Sequence, residues 1–208
     1  PRLALLPVLL ACAASGGALG DAQVAGKHKG TVYIIRHGEK LSKFGCLSDA
    51  GHARANHLVD VFNGEASPER ETFEAPAAMF AHWYHDPVDC ERCNQTARPL
   101  AEALGLALDV THGGESPGTG PGGGNAGAAK AILEALASSG GPVLAVWEHI
   151  NIQFLTQALG VAPASIPQWP GSDFDSVYVL RFDEELRLAA FKRAAQHFQP
   201  PAMADLVV

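Results

Sequence analysis

Four side chains in this sequence have the types and positions to do chemistry together. Arg36 and His37 are adjacent in Arg36-His37-Gly38-Glu39-Lys40, Arg92 opens the stretch Arg92-Cys93-Asn94-Gln95-Thr96-Ala97, and His149 follows Trp147-Glu148. Two imidazoles and two guanidiniums gathered in one pocket suit a phosphoryl group. A neutral imidazole is a usable nucleophile near neutrality because its unperturbed pKa is about 6.5. Fixed cations then hold the equatorial oxygens while charge redistributes during an in-line attack on phosphorus. Gly38 leaves room for close approach by phosphate or backbone. His82 ends a candidate strand and is a candidate pocket-lining residue.

These residues need elements that bring them to one place. Thr31 to Arg36 is an apolar run rich in β-branched residues, the pattern of a strand buried on both faces. After the capping pair Ser48-Asp49, Ala50, Ala53, Leu58, Val61 and Phe62 fall on one helical stripe. Ala77 to His82 is a second strand. Ala97, Leu100, Ala101 and Leu104 mark a second helix, with Arg92 in the turn that enters it and Gly105 stopping it. A short strand covers Leu106 to Val110, and Thr111 to Gly127 reads as loop, dense in Gly and Pro. Ala129, Ile132, Leu133 and Leu136 mark a third helix, ended by Gly140-Gly141. Val143 to Trp147 is the next strand, and Ile152, Leu155 and Leu159 mark a fourth helix ended by Gly160. Ser176 to Phe182 and Leu186 to Lys192 close the chain as a hairpin about Asp183-Glu184-Glu185. Strands alternating with helices in this way predict an α/β three-layer sandwich around a mostly parallel sheet. In such sheets ligands sit beyond the carboxyl ends of the strands, which is where His37, His82 and His149 fall.

At 208 residues the chain supports one domain with a sizeable core. A hydrophobic content of 47% and a charged content of 18% exclude a disordered or fibrous protein. The formal net charge is -7 and no Lys/Arg cluster appears, which excludes nucleic acid as a general partner. Residues 1–20 stand apart. Arg2, an apolar run from Leu3 to Ala14, then Ser15-Gly16-Gly17 and Ala18-Leu19-Gly20 have the form of a secretory signal peptide. The run is short of the roughly 20 residues a membrane-spanning helix needs; the competing readings are an anchor, or lipidation at Cys12. No membrane association is expected once the signal is removed, which places a domain over 21–208 in an extracytoplasmic compartment, secreted or periplasmic. Cys46, Cys90 and Cys93 would remain, so two could pair in an oxidising compartment. Spacing does not say which two.

Taken in order, four segments resemble the histidine phosphatase superfamily, in its phosphoglycerate-mutase-like branch. Val32 to Lys40 (VYIIRHGEK) resembles the first motif, and Leu47 to Ala55 (LSDAGHARA) the segment opening the first helix. Arg92 to Leu106 (RCNQTARPLAEALGL) resembles the second-arginine motif, and Val143 to His149 (VLAVWEH) the strand bearing the second histidine. The Trp-Glu-His form looks more like the smaller members of that family than like glycolytic mutases. The resemblance implies a phosphoglycerate-mutase-like fold and phosphomonoester hydrolysis through a phosphohistidine at His37. Arg36, Arg92 and His149 would hold the phosphate, with Gly38 and His82 beside it. It implies no metal and no cofactor, and a small phosphorylated substrate. Oligomeric state is not readable.

The proton donor to the leaving group is where the resemblance breaks. The mutase branch places a Glu in the loop after the third strand; Glu115 occupies that region without the usual flanking residues. The acid phosphatase branch places an Asp directly after the second histidine, where this chain has Ile150. Glu148, one residue before His149, is the other candidate, with helix capping or an ion pair as its structural alternative. Two further alternatives stand beside hydrolysis: a non-catalytic phosphate-binding or scaffold protein retaining the fold, and a mutase-like phosphotransferase. His82-x-x-His85 with Cys90-x-x-Cys93 supplies four zinc-ligand types, though Arg92 lies between the cysteines. Gly118-x-Gly120-x-x-Gly123 fits a dinucleotide fingerprint by letter only, since Pro121 interrupts it and no strand leads into it.

Overall fold

The computed structural model describes residues 28–41, 45–65, 71–84, 90–113 and 121–200. The expected signal segment and Glu115 lie outside these residues, as does His85. Among the described residues no helix is long and apolar enough to cross a membrane.

Six strands form one sheet: β1 (His28–Arg36), β2 (Ala78–Ala81), β3 (Leu108–Asp109), β4 (Val143–Trp147), β5 (Ser176–Asp183) and β6 (Leu188–Ala195). Their spatial order is β3-β2-β4-β1-β5-β6. The first four run parallel, β2 pairing with β3 and β4, and β1 with β4. The closing pair β5 and β6 is antiparallel, to β1 and to each other. Four helices flank the sheet: α1 (Asp49–Val61), α2 (Arg92–Leu104), α3 (Gly124–Ser139) and α4 (His149–Ala158). The result is the expected α/β sandwich with a mostly parallel core.

Period-two alternation in β1 separates the two cores. Val32 and Ile34 join Ile132, Leu136, Trp147, Leu155 and Tyr178 under α3 and α4. Tyr33 and Ile35 join Leu58, Phe62, Phe73, Leu100 and Val146 under α1 and α2. Both sides of β4 are buried along its whole length, which is why its sequence is apolar without alternation. Helix ends follow local chemistry. Ser48 caps α1 by accepting from the Gly51 amide at 3.3 Å. Gly105 and Gly140 end α2 and α3 at φ of 66° and 72°, a conformation glycine adopts without strain.

Two expectations need correction. The buried face of α1 is Gly51, Arg54, Ala55, Leu58 and Val61, so Ala50 and Ala53 are only half-buried. The helix is rotated because Gly51 packs against the backbone of Glu39, where an added Cβ would meet a carbonyl oxygen. The glycine-rich loop also ends earlier than composition indicates, since Gly124 to Gly127 belong to α3. Gly122 and Gly127 touch so closely, through the Gly122 carbonyl, that no side chain fits between them. There glycine serves contact rather than flexibility.

Candidate active site

Parallel strands put the ends of β1 and β4 side by side, with Arg36 in register with Trp147. The chain leaves β1 and β2 under hydrogen-bond control from β4. The His37 amide donates to the Trp147 carbonyl at 3.2 Å, and the His82 amide to the Val146 carbonyl at 2.9 Å. His37, Arg92 at the first residue of α2, and His149 at the first residue of α4 therefore converge on one sheet edge.

His37 is fully buried. Its Nδ1 lies 2.7 Å from the Gly38 carbonyl, an acceptor only, so Nδ1 carries the proton and Nε2 the lone pair. That lone pair accepts from Arg92 Nε at 3.0 Å. Burial pushes the imidazole pKa down to about 3; the Gly38 bond opposes this, and the charges of Arg92 and Arg36 add to it. His37 is thus a neutral imidazole with a fixed tautomer, the state a phosphorus-directed nucleophile requires.

Arg36 is also buried, and its guanidinium is held on two sides. Its Nη1 donates to the carbonyls of Gly171 (2.7 Å) and Asp173 (3.1 Å), and its plane lies 3.9 Å over the Phe174 ring. Phe174 also meets the His37 ring edge-on at 6.0 Å. Arg36 Nε is buried without a hydrogen-bond partner, a donor left for an anion. Desolvation lowers the Arg36 pKa, as expected of a buried cation. Arg92 stacks on Tyr84 at 4.5 Å, and the Tyr84 hydroxyl meets Cys93 Sγ at 3.0 Å.

The R-x-x-Q-T-A stretch has a mechanical explanation. Thr96 Oγ1 accepts from the Gly38 amide at 2.9 Å and donates to the Arg92 carbonyl at 2.8 Å. Gln95 Oε1 accepts from the Leu47 amide at 3.0 Å. The first turn of α2 therefore clamps the loop that carries His37. Of the two close approaches expected at Gly38, the structure shows that of backbone. Its amide and carbonyl serve Thr96 and His37, and its missing Cβ makes room for Gly51, 2.9 Å from the Gly51 carbonyl oxygen. His82 is buried edge-on against Trp147 and Tyr84, each at 5.0 Å, rather than solvated.

Glu148 caps α4, its Oε2 accepting from the Ile150 amide at 2.9 Å. Its Oε1 lies 2.6 Å from His149 Nδ1, a short ion-pair contact outside the angle of an aligned hydrogen bond. Both structural alternatives for this residue are realised, yet it still reaches the site. His37, Glu148 and His149 offer ligand atoms within 4.8 Å of one another, close enough to share a cation. Arg36 and Arg92 flank that point and repel one, so the donor set fits an anion better.

Three features escape the sequence reading. Arg54 is buried and pairs with Glu39 of the loop after β1, 2.7 Å at the shortest, and with Asp175 at 3.1 Å. It also stacks on Phe198 at 4.3 Å. Gly171 to Phe174 supplies the seat of Arg36 and carries no periodic signal. Cys46 pairs with Cys90, leaving Cys93 buried, its thiol pushed up to about 12 by burial. That disulfide removes Cys90 from any zinc set, and Cys93 is engaged with Tyr84. A separate 410 Å³ cleft between α1 and α2, lined by His52, Asn94, Arg98 and Glu102, contains none of Arg36, His37, Arg92 and His149.

No family model matches this chain, and no curated protein matches it in sequence. Solved structures do match. The protein histidine phosphatase SixA complexed with tungstate superposes with a TM-score of 0.50 at 18% identity, covering 80% of this chain and 97% of that one. A mycobacterial glucosyl-3-phosphoglycerate phosphatase gives 0.50 at 19% identity, covering 79% and 96%. The chain shares the α/β fold of these two structures.

Proposed function

We propose that this protein hydrolyses small phosphomonoesters through a phosphohistidine at His37, without a metal. The observation that carries this reading is the state of His37: buried, neutral, its tautomer set by the Gly38 carbonyl, its lone pair facing Arg92. A phosphate arriving there takes the Arg92 donor from His37 and satisfies the partnerless Nε of Arg36. His149 completes the pocket. The Nε2 lone pair attacks phosphorus, the ester P–O bond breaks, and the leaving oxygen takes a proton from an acid on the opposite side. Water then attacks the phosphohistidine, the P–N bond breaks, and His37 recovers its lone pair as inorganic phosphate departs.

The names of the two matched structures, a protein histidine phosphatase and a glucosyl-3-phosphoglycerate phosphatase, are in keeping with this reading. Export through a signal peptide over 1–20 is part of the proposal, supported by the Cys46–Cys90 disulfide, because such bonds persist in oxidising compartments.

The test is hydrolysis of a chromogenic aryl phosphate from acid to neutral pH, with and without EDTA, beside His37→Ala. Turnover that survives EDTA and vanishes in the variant is expected. Turnover abolished by EDTA would refute the metal-free mechanism, and no turnover by folded protein would favour a phosphate-binding protein that retains the fold.

A further inference from the structure

Attack by a buried nucleophile fixes where the leaving group must go. His37 Nε2 approaches phosphorus from the protein interior, so an in-line leaving group departs on the solvent side. The acid that protonates it has to stand on that side. Glu148 does not. Its side chain is only 9% exposed, and both carboxylate oxygens already face donors: Oε2 the Ile150 amide, Oε1 His149 Nδ1. His149 is the more open of the two, with 29% of its side chain exposed. Its Nδ1 is buried against Glu148, which leaves Nε2 as the ring nitrogen for proton transfer.

The carboxylate behind His149 is itself held from below. Trp147 Nε1 donates to Asn125 Oδ1 (2.8 Å), Asn125 Nδ2 to Asn151 Oδ1 (2.8 Å), and Asn151 Nδ2 to Glu148 Oε2 (3.4 Å). Asn125 and Asn151 are buried, on α3 and α4 respectively. A chain of buried amides thus fixes Glu148 so that its free oxygen faces one imidazole nitrogen.

Resting on the phosphohistidine reading, we propose that His149 is the general acid of this site and that Glu148 is its positioning counter-charge. Among the described residues the acid's place is then taken by a Glu-His pair on consecutive residues. In the first step the imidazolium Nε2–H passes its proton to the leaving oxygen as the P–O bond breaks, leaving neutral His149. In the second, Nε2 takes a proton from the attacking water as the P–N bond breaks, which restores the imidazolium. The charges facing His149 are Glu148 at its own base, Arg36 from β1, and Arg92 from α2, with His37 beside them. Burial and both arginines lower its pKa, and Glu148 raises it. The acid form is therefore available on the acid side of neutrality and depends on Glu148.

Two readouts test this: the basic limb of the pH profile, and sensitivity to the leaving group. Wild type is assayed with an activated aryl phosphate and an unactivated alkyl phosphate across pH 4–8, beside Glu148→Gln and His149→Gln. The Glu148→Gln substitution keeps the cap and removes the charge, so the basic limb should move to lower pH by roughly one unit. At pH 6 alkyl phosphate turnover should fall up to about tenfold in Glu148→Gln and on the order of 100-fold in His149→Gln, with the aryl ester losing less in each. A limb abolished rather than moved in Glu148→Gln would make Glu148 the donor and overturn the proposal. So would equal losses on both esters. If neither variant folds, wild type alone decides, since dependence on leaving-group pKa should steepen above the limb and a constant slope contradicts the assignment. Failure of wild type to turn over even the aryl ester would refute the underlying phosphatase reading instead.

Discussion

A histidine that is buried and neutral should cost the protein stability in acid. The ordinary imidazole pKa is about 6.5 in an unfolded chain, and in the folded protein His37 sits at about 3. Between these values the unfolded state binds a proton that the folded state does not, so stability falls as pH falls. The loss begins near pH 6.5 and is complete near pH 3. At pH 5 it is set by the roughly 1.5 pH units below the unfolded value, worth about 2 kcal/mol at about 1.36 kcal/mol per unit. Urea denaturation at pH 8 and pH 5, on wild type and His37→Asn, isolates this contribution. Asn can still donate to the Gly38 carbonyl but does not titrate. Wild type should lose about 2 kcal/mol more than the variant between the two pH values. His149, also shifted down by burial, adds a loss of the same sign to both proteins. Equal losses in the two proteins would refute the claim that His37 is held neutral.

Three further outcomes follow from the clamp around His37. Cys46→Ser with Cys90→Ser opens a bridge spanning 44 residues and should cost about 2–4 kcal/mol in urea melts, together with weaker substrate affinity, because Cys90 lies two residues before Arg92. Unchanged stability would mean the bridge does not constrain the chain. Thr96→Val strands the Gly38 amide and should cost about 1–3 kcal/mol, with aryl phosphatase kcat/KM falling roughly 10- to 100-fold; Thr96→Ser should restore most of both. Arg54→Leu leaves Glu39 unpaired beneath the loop after β1 and should cost about 2–3 kcal/mol, given that Glu39 and Asp175 keep partial solvent access. A loss under about 0.5 kcal/mol would place Arg54 among surface-like pairs.

What is legible in this chain is local. The bounds of β4 and the end of α2 follow from short-range signals: an apolar run after Pro142, and a stripe closed by Gly105. His37, Arg36, Arg92 and His149 stand out because they fall where parallel strands end. The rest depends on distance along the chain. Thr96 and Gly38 are 58 positions apart, and Arg36 reaches a carbonyl 135 positions away. No periodicity encodes such pairs. Arg54 escapes notice because a charged residue on a helix is normally solvated, and here a carboxylate on each side offsets the cost of its burial. Gly38 reads as room for phosphate or backbone, and that the backbone is that of Gly51 is visible only once α1 is packed.

The central claim is that phosphate passes through His37 Nε2. Its most direct test is to mix enzyme with an activated phosphate ester, quench with alkali within milliseconds, and map phosphorylated peptides by mass spectrometry. Alkali preserves a phosphoramidate that acid would destroy. The account predicts phosphate on the peptide carrying His37, absent in His37→Ala and accumulating in His149→Gln if water activation is slowed. Product release with no phosphorylated His37 at any time would contradict it.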